Sequence, residues 1–189
     1  MGGSASWTSE DDRMNKPQVD PFKIYLHAWK FLWSEEHLRR TDNPQVMAFV
    51  VPPAIVLSAF TSELLLKCIL MLEKGDAPNT HDLKILFDQV STPIQQKIIA
   101  GWDQTLPGKE KEFAFQESLS GRQIPRDLPT ALAVCGRAFE GMRYIYEDPM
   151  KTNFYLIELA RILLGAIWEI KPEWKNIRPG PAREAVAGN

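Results

Sequence analysis

The sequence predicts an all-α protein, a single-domain helical bundle of four principal helices plus short helices. Apolar residues recur at three- and four-residue spacing in several segments, and no segment keeps the alternation of a half-buried strand over more than a few residues. The chain has 189 residues, 44% of them hydrophobic and 24% charged, which is typical of a globular domain with a sizeable core. These observations exclude the collagenous, mucin-like and wholly disordered classes.

The first helix is predicted over residues 22–40, after a polar N-terminal arm (residues 1–20) that we expect to be disordered. Pro44 disfavours a helical conformation at Asn43 and so ends this helix. The expected inward stripe consists of Phe22, Leu26, Trp29, Leu32 and Trp33. The opposite side carries Lys30, Glu35, Glu36 and Arg39.

The second helix is predicted to begin at Pro52 or Pro53, where a missing amide proton costs little, and to run to Lys74 before Gly75. Such an apolar helix belongs in the centre of a bundle. The apolar run of residues 46–60 is interrupted by the two prolines and is too short to span a bilayer, so we expect a buried core segment and no membrane partner.

Two short helices should follow the second helix. Thr80 is predicted to cap the first of them, residues 81–90, and Pro93 to start the second, which runs to Asp103. Residues 106–124 lack a sustained period and predict a long connection with about one helical turn.

The last two principal helices are predicted over residues 128–147 and 154–171. Asp127 is the expected cap of the former. The folded bundle should therefore occupy residues 21–171, followed by a loose C-terminal tail over residues 172–189.

Composition and motifs restrict the classes of function. A formal charge of −2 gives no global attraction to nucleic acid or to an anionic membrane, so any nucleic-acid contact must be a local patch. Two widely spaced cysteines and no apolar leader favour the cytoplasm with both thiols reduced. The spacing of His27 and His37 does not build a metal site, and no phosphate loop or hydrolase motif occurs, so we expect no metal and no cofactor.

Glu63 and Lys67 lie four residues apart and are the only charged residues between Ala54 and Leu72. An unpaired ion on a buried helix costs several kcal/mol, so the two residues must pair or face a polar cavity. A structural ion pair and a ligand site both fit. His81 is expected in the first turn of the next helix, where the dipole favours a neutral imidazole that can hydrogen-bond Glu63 or Lys67.

A guanidinium and phenols, supplied by Arg143, Tyr146 and their neighbours, lie near the end of the helix predicted over residues 128–147. Arg143 is four residues from Glu147 and can pair with it on the helix surface. A solvated helix face and a binding role are both compatible with this pattern. We therefore take Glu63, Lys67, His81, Arg143 and Tyr146 as ligand-binding candidates and assign no catalytic residue.

The sequence resembles the HEPN-type domain family. The resemblance lies in an apolar helix bearing Glu-x-x-x-Lys (residues 59–67), a turn at Gly75, the His81-Asp82-Leu83 segment, and the later Arg143-Tyr144-x-Tyr146-Glu147 segment. It covers residues 21–171 in helix order and is sharpest over residues 59–87.

The resemblance implies an all-α bundle, often dimeric, found in prokaryotic toxin–antitoxin and phage-defence systems and in some RNA-processing proteins. Active members are metal-independent ribonucleases that carry an arginine followed, after a polar residue and four to six more residues, by a histidine. This sequence departs from that motif, because Tyr144 follows Arg143 and no histidine occurs beyond His81.

These observations lead to a principal hypothesis and two alternatives. The principal hypothesis is a non-catalytic HEPN-like protein that binds a nucleotide, RNA or a protein partner such as an antitoxin-like protein. The first alternative is a divergent HEPN ribonuclease, and the second is a helical dimer whose polar residues only hold its fold. The final helix has apolar residues outside its inward stripe, including Ile162, Leu164 and Trp168, and therefore predicts a homodimer.

Overall fold

The computed structural model describes residues 19–143 and 156–177, and within these two ranges the protein is all-helical, without strands. The predicted all-α class is thereby confirmed for the described residues. The helices are α1 (Pro21–Leu38), α2 (Pro44–Lys74), α3 (Leu83–Asp88), α4 (Thr92–Asp103), α5 (Glu110–Ser120), α6 (Leu128–Cys135), α7 (Ala138–Arg143) and α8 (Leu159–Ile170), followed by a short 3-10 helix (Pro172–Asn176).

Helix α2 is the centre of the structure, because it packs against α1, α3, α7 and α8. Its second half supplies fully buried apolar side chains, among them Leu65, Leu66, Ile69 and Leu70. This half of α2 is the buried central helix that its composition predicted. By length and composition alone, residues Phe49–Lys74 would also suffice to cross a membrane, but more than half of the apolar window is buried among the other helices.

Helix α1 is rotated relative to the sequence prediction. Its buried positions are Tyr25, Ala28, Leu32 and Glu35, whereas Trp33 is 40% exposed. The Tyr25 hydroxyl explains part of this difference, since its one proton is shared between the carbonyl oxygens of Trp174 and Ile177, which lie 2.8 and 3.1 Å from the hydroxyl oxygen. The buried phenol of Tyr25 thereby has the hydrogen-bond partner that burial requires, whereas the Trp33 indole lies at the surface.

Helix α2 begins at Pro44, eight residues before the predicted start at Pro52. The Asn43 side chain accepts hydrogen bonds from the amides of Gln45 and Val46, and Pro44 occupies the first turn, where it needs no donor. Pro52 and Pro53 therefore lie inside the helix. This first part of α2 is largely exposed, so water can satisfy carbonyls whose intrahelical donors the prolines remove.

Exposure of this part also corrects the prediction of a buried core segment over residues 46–60. Val46, Phe49 and Val51 are exposed, and full burial begins only at Ala54 and Ser58. At its other end α2 stops as predicted at Gly75, which has a φ of 71° and donates its amide to the Met71 carbonyl.

The connections differ from the prediction at three places. Asp82, not Thr80, caps α3. The predicted long connection contains the 11-residue helix α5, which Gly121 ends with a φ of 64°. The predicted helix of residues 128–147 is interrupted after Cys135, so that α6 and α7 are separate helices.

The C-terminal boundary lies further along the chain than predicted. Helix α8 starts at Leu159, and the 3-10 helix Pro172–Asn176 packs Trp174 against Phe22 and Tyr25, with ring centroids 5.0 Å apart in both pairs. Residues 172–177 thus belong to the folded body. The predicted arm and the rest of the tail lie outside the described residues, apart from positions 19–20.

Candidate functional site

A buried carboxylate on α2 is the centre of the candidate site. The Glu63 side chain is only 2% exposed, and its Oε1 accepts a hydrogen bond from Lys67 Nζ at 2.8 Å, one turn further along the helix. Lys67 is 19% exposed and so reaches the surface with part of its chain. Pairing over four residues was predicted, and burial is confirmed for Glu63; Lys67 lies at the edge of the core.

His81 completes the cluster from the loop between α2 and α3. Its Nδ1 lies 3.0 Å from both Glu63 carboxylate oxygens, while the imidazole is 47% exposed. The sequence left open whether His81 would contact Glu63 or Lys67, and the structure shows contact with Glu63. Glu63, Lys67 and His81 together are called the Glu63 cluster below.

The loop that carries His81 is fixed on both sides. The Thr80 hydroxyl accepts from the Asp82 amide at 3.2 Å, and the Asp82 carboxylate accepts from the Lys84 and Ile85 amides. His81 therefore precedes the helix cap. The prediction that His81 lies in the first helical turn is wrong, and the dipole argument for its charge state does not apply.

A main-chain contact joins this loop to the break between α6 and α7. The Leu83 amide donates to the Gly136 carbonyl oxygen at 2.9 Å. A Cβ added at Gly136 would lie 2.8 Å from Asp82 Oδ1 and 2.6 Å from the Leu132 carbonyl oxygen. This close approach positions the loop beside the break between α6 and α7.

The geometry of the cluster constrains its chemistry. A carboxylate that faces Nδ1 favours the tautomer protonated at that nitrogen, which leaves Nε2 as the second reactive nitrogen of the ring. Within the described ranges Nε2 has no hydrogen-bond partner. It can accept a proton or a hydrogen bond when the ring is neutral, and it can donate one when the ring is protonated.

Aromatic rings form one wall of the cluster and connect it to α1. The His81 ring centroid lies 5.5 Å from that of Phe139 on α7, and Phe139 stacks on Phe60 at 5.2 Å. Phe60 contacts Phe31 at 4.8 Å, and Phe31 contacts His27 at 4.9 Å. Sequence reasoning missed these phenylalanines; the signal for Phe60 was its position one helical turn before Glu63.

The two remaining candidates are not placed in the cluster. Arg143 is the last residue of α7, one turn beyond Phe139, and its side chain is not among those described. Tyr146 lies outside the described residues. Their predicted role therefore stays a prediction.

The described residues contain no group of three metal-ligating side chains. Cys68 and Cys135 are buried thiols, and burial raises the pKa of Cys68 to about 12. Glu35 is buried on α1 beside Arg39, and burial raises the pKa of its carboxyl group although the hydrogen bond from Arg39 lowers it.

Comparison with known proteins found no match: no protein-family model, no curated protein and no solved structure matches the chain.

Proposed function

We propose that this protein is a non-catalytic HEPN-like helical protein that binds the phosphate of a nucleotide or of RNA at the Glu63 cluster. The observation that carries the proposal is that one buried carboxylate holds both an ammonium group and a half-exposed imidazole at a fixed place on the surface. A purely structural ion pair needs only Lys67. The exposed imidazole adds a second polar group whose position is fixed by its contact with buried Glu63, and such a preorganised group is suited to ligand recognition.

An anionic ligand fits the polar groups of the cluster. Glu63 and Lys67 neutralise each other, so the cluster does not repel a phosphate, and the partly exposed Lys67 ammonium group can donate to a phosphate oxygen beside His81. The neighbouring Phe139 and Phe60 rings provide an apolar wall on which a base can stack.

Nucleotide titration tests this proposal. Calorimetry with AMP, GMP and a short 5′-phosphorylated RNA should detect binding to the wild type, and His81→Gln should weaken it by about tenfold or more. Lys84→Gln is the matched control, because Lys84 also pairs with a carboxylate four residues away but does so on the surface. The absence of binding by the wild type, or equal binding by His81→Gln, would overturn the proposal.

A divergent metal-independent ribonuclease is the second candidate, and one observation favours it. Glu63 contacts His81 Nδ1 as an orienting carboxylate does in a general acid–base pair, leaving Nε2 available for proton transfer. Labelled single-stranded RNA should nevertheless remain intact with the wild type, with and without magnesium. Cleavage that disappeared in both His81→Ala and Glu63→Gln would replace the binding proposal with this one.

The HEPN resemblance also supports a cytoplasmic protein of a toxin–antitoxin or phage-defence system with an antitoxin-like partner. A neighbouring gene for a small antitoxin or a nucleotidyltransferase would favour this context. Co-expression followed by affinity purification of the complex tests it directly. If the partner binds His81→Gln as tightly as the wild type, protein recognition uses a different surface from the Glu63 cluster.

A further inference from the structure

The solvent-facing side of α1 carries cationic and aromatic side chains without an acidic one among them. In the orientation that α1 adopts, Glu35 is buried and Glu36 accepts a hydrogen bond from Arg161. The exposed face then consists of Lys23, His27, Lys30, Trp33 and His37, which we call the basic–aromatic face. Asp20, at the start of the helix, is engaged as its N-cap.

Within residues 19–143 and 156–177 the lysines of this face have no carboxylate partner. Among the described residues neither Lys23 nor Lys30 makes an ion pair, whereas Lys67, Lys84 and Lys97 each do. A face of one sign is not expected from a chain whose formal charge is −2. Two unpaired ammonium groups seven residues apart, about two helical turns, form a local positive field that the whole molecule lacks.

The same face offers surfaces for planar groups. The exposed Trp33 ring stacks on His37 with centroids 5.0 Å apart and an interplanar angle of 19°. A shallow, largely apolar depression of about 460 Å³ lies beside Lys23, His27 and Lys30 and includes Leu26 and Leu64. Cations at the rim of an apolar depression, with an exposed indole one turn away, match the alternation of phosphate and base along a nucleic-acid strand.

We propose that the basic–aromatic face binds single-stranded nucleic acid, with Lys23 and Lys30 at phosphates and Trp33 stacked on a base. From Lys23 to Trp33 the face spans roughly 15 Å along α1. Rings from His27 through Phe31 and Phe60 to Phe139 connect it to His81, so one strand can contact both places. The proposal rests on the proposed function in naming the polymeric ligand, but it assigns a surface outside the Glu63 cluster.

Fluorescence anisotropy with a labelled oligouridine and a labelled oligoglutamate peptide tests the proposal over a range of salt concentrations. The double variant Lys23→Gln/Lys30→Gln should bind oligouridine more than tenfold less tightly. It should also reduce the slope of log K against log salt by about 1.4, because each phosphate contact to a single strand contributes about 0.7. Trp33→Ala should weaken binding roughly 5- to 150-fold, the range of one lost base stack.

The control is Lys111→Gln/Lys175→Gln, which removes the same charge from exposed lysines outside the face. If the wild type does not bind oligouridine, or if the two double variants bind it equally tightly, the proposal is overturned. Tighter binding of oligoglutamate than of oligouridine would replace nucleic acid with an acidic peptide. If His81→Gln loses mononucleotides but keeps oligouridine, the Glu63 cluster and the basic–aromatic face act separately; if His81→Gln keeps mononucleotides, only the proposed function fails.

Discussion

Glu63 and Lys67 form one ion pair but differ in what each can do when its partner is removed. Lys67 reaches the surface and can extend its ammonium group into water, whereas Glu63 is enclosed on all sides. The cost of breaking the pair is therefore asymmetric. If both residues were fully buried, removing either one would cost several kcal/mol of folding stability. The exposure of Lys67 means that the two single substitutions should differ in cost.

The expected result is that Lys67→Met destabilises the protein by about 1–3 kcal/mol, because it leaves a buried carboxylate supported by His81 alone. Glu63→Met should cost less than about 1 kcal/mol, and Glu63→Met/Lys67→Met should be nearly neutral. Urea unfolding measures the three differences. Lys84→Met controls for the loss of a surface pair at the same spacing and should change stability by less than about 0.5 kcal/mol; equal costs for the two single variants would show that Lys67 is as enclosed as Glu63.

Glu35 gives stability a dependence on pH. Burial raises the pKa of its carboxyl group above the ordinary value of 4.5, against the lowering effect of the hydrogen bond from Arg39. The folded chain thus holds a proton at pH values where the unfolded chain has released it. The contribution of Glu35 to stability is fully present below pH 4.5 and is lost as the pH rises through the raised value.

Compared with Glu35→Gln, the wild type should therefore be more stable at pH 5 than at pH 7, and urea midpoints at the two values measure this difference. Asp127→Asn provides a control of opposite sign, because hydrogen bonds from Thr130 lower the pKa of Asp127. Its contribution should be lost as the pH falls. If the stability of the wild type relative to Glu35→Gln instead increased towards pH 7, the upward direction assigned to the pKa of Glu35 would be wrong.

At the scale of the helices, the sequence predicted the elements whose ends carry local signals. Gly75 and Asp127 were identified as a stop and a cap because glycine adopts a positive φ and aspartate accepts from free amides. The start of α2 was placed too late because Asn43 and Pro44 were taken only as the end of the first helix, whereas in the structure α1 already ends at Leu38 and these two residues cap and begin α2. The rotation of α1 could not be predicted, since it depends on Tyr25 reaching Trp174 across 149 residues.

For the candidate site, too, the sequence predicted residues with a local signal but not the contacts between helices. Glu63 and Lys67 were recognisable because charges are rare on a central helix, and His81 because it follows the next turn. Its hydrogen bond to Glu63 and the adjacent Phe139 depend on how α3 and α7 meet α2, which local spacing does not encode.

The break between α6 and α7 makes a prediction that belongs to this scale. Gly136→Ala should destabilise the protein by roughly 1–3 kcal/mol, because the new methyl group meets the Leu132 carbonyl and the Asp82 carboxylate, which two amides hold in place. Because the loop is displaced, the affinity for any ligand that contacts His81 should also fall. Chemical denaturation and nucleotide titration measure the two effects.

Gly165→Ala is the matched control, because a Cβ at this position in α8 has no heavy atom within 4 Å. Replacing an unconstrained glycine inside a helix should stabilise the protein by about 0.5–1 kcal/mol. Two variants with the same chemical change should thus shift stability in opposite directions. A neutral Gly136→Ala would mean that the loop can move away from the break.

For the whole molecule, the structure changes the basis of the predicted homodimer. Apolar residues of α8 were expected to need cover from a second chain, but Leu164 is buried, Ile162 packs on Gly101 and Trp168 stacks near Trp29. The cover is supplied within the chain. Helix α8 therefore no longer supports the prediction.

The first turns of α2 provide a different argument for two copies. Phe49 is 80% exposed, and Val46, one turn before it on the same side of the helix, is also exposed, so apolar side chains face solvent at one end of the longest helix. We predict a homodimer in which these turns pack together, since exposed apolar patches mark interaction surfaces. Light scattering should give a mass twice 21.5 kDa, and Phe49→Glu should reduce it to the monomer. Phe115→Glu, on the exposed side of α5, should leave the dimer intact; a wild type that is monomeric at micromolar concentration would contradict the prediction.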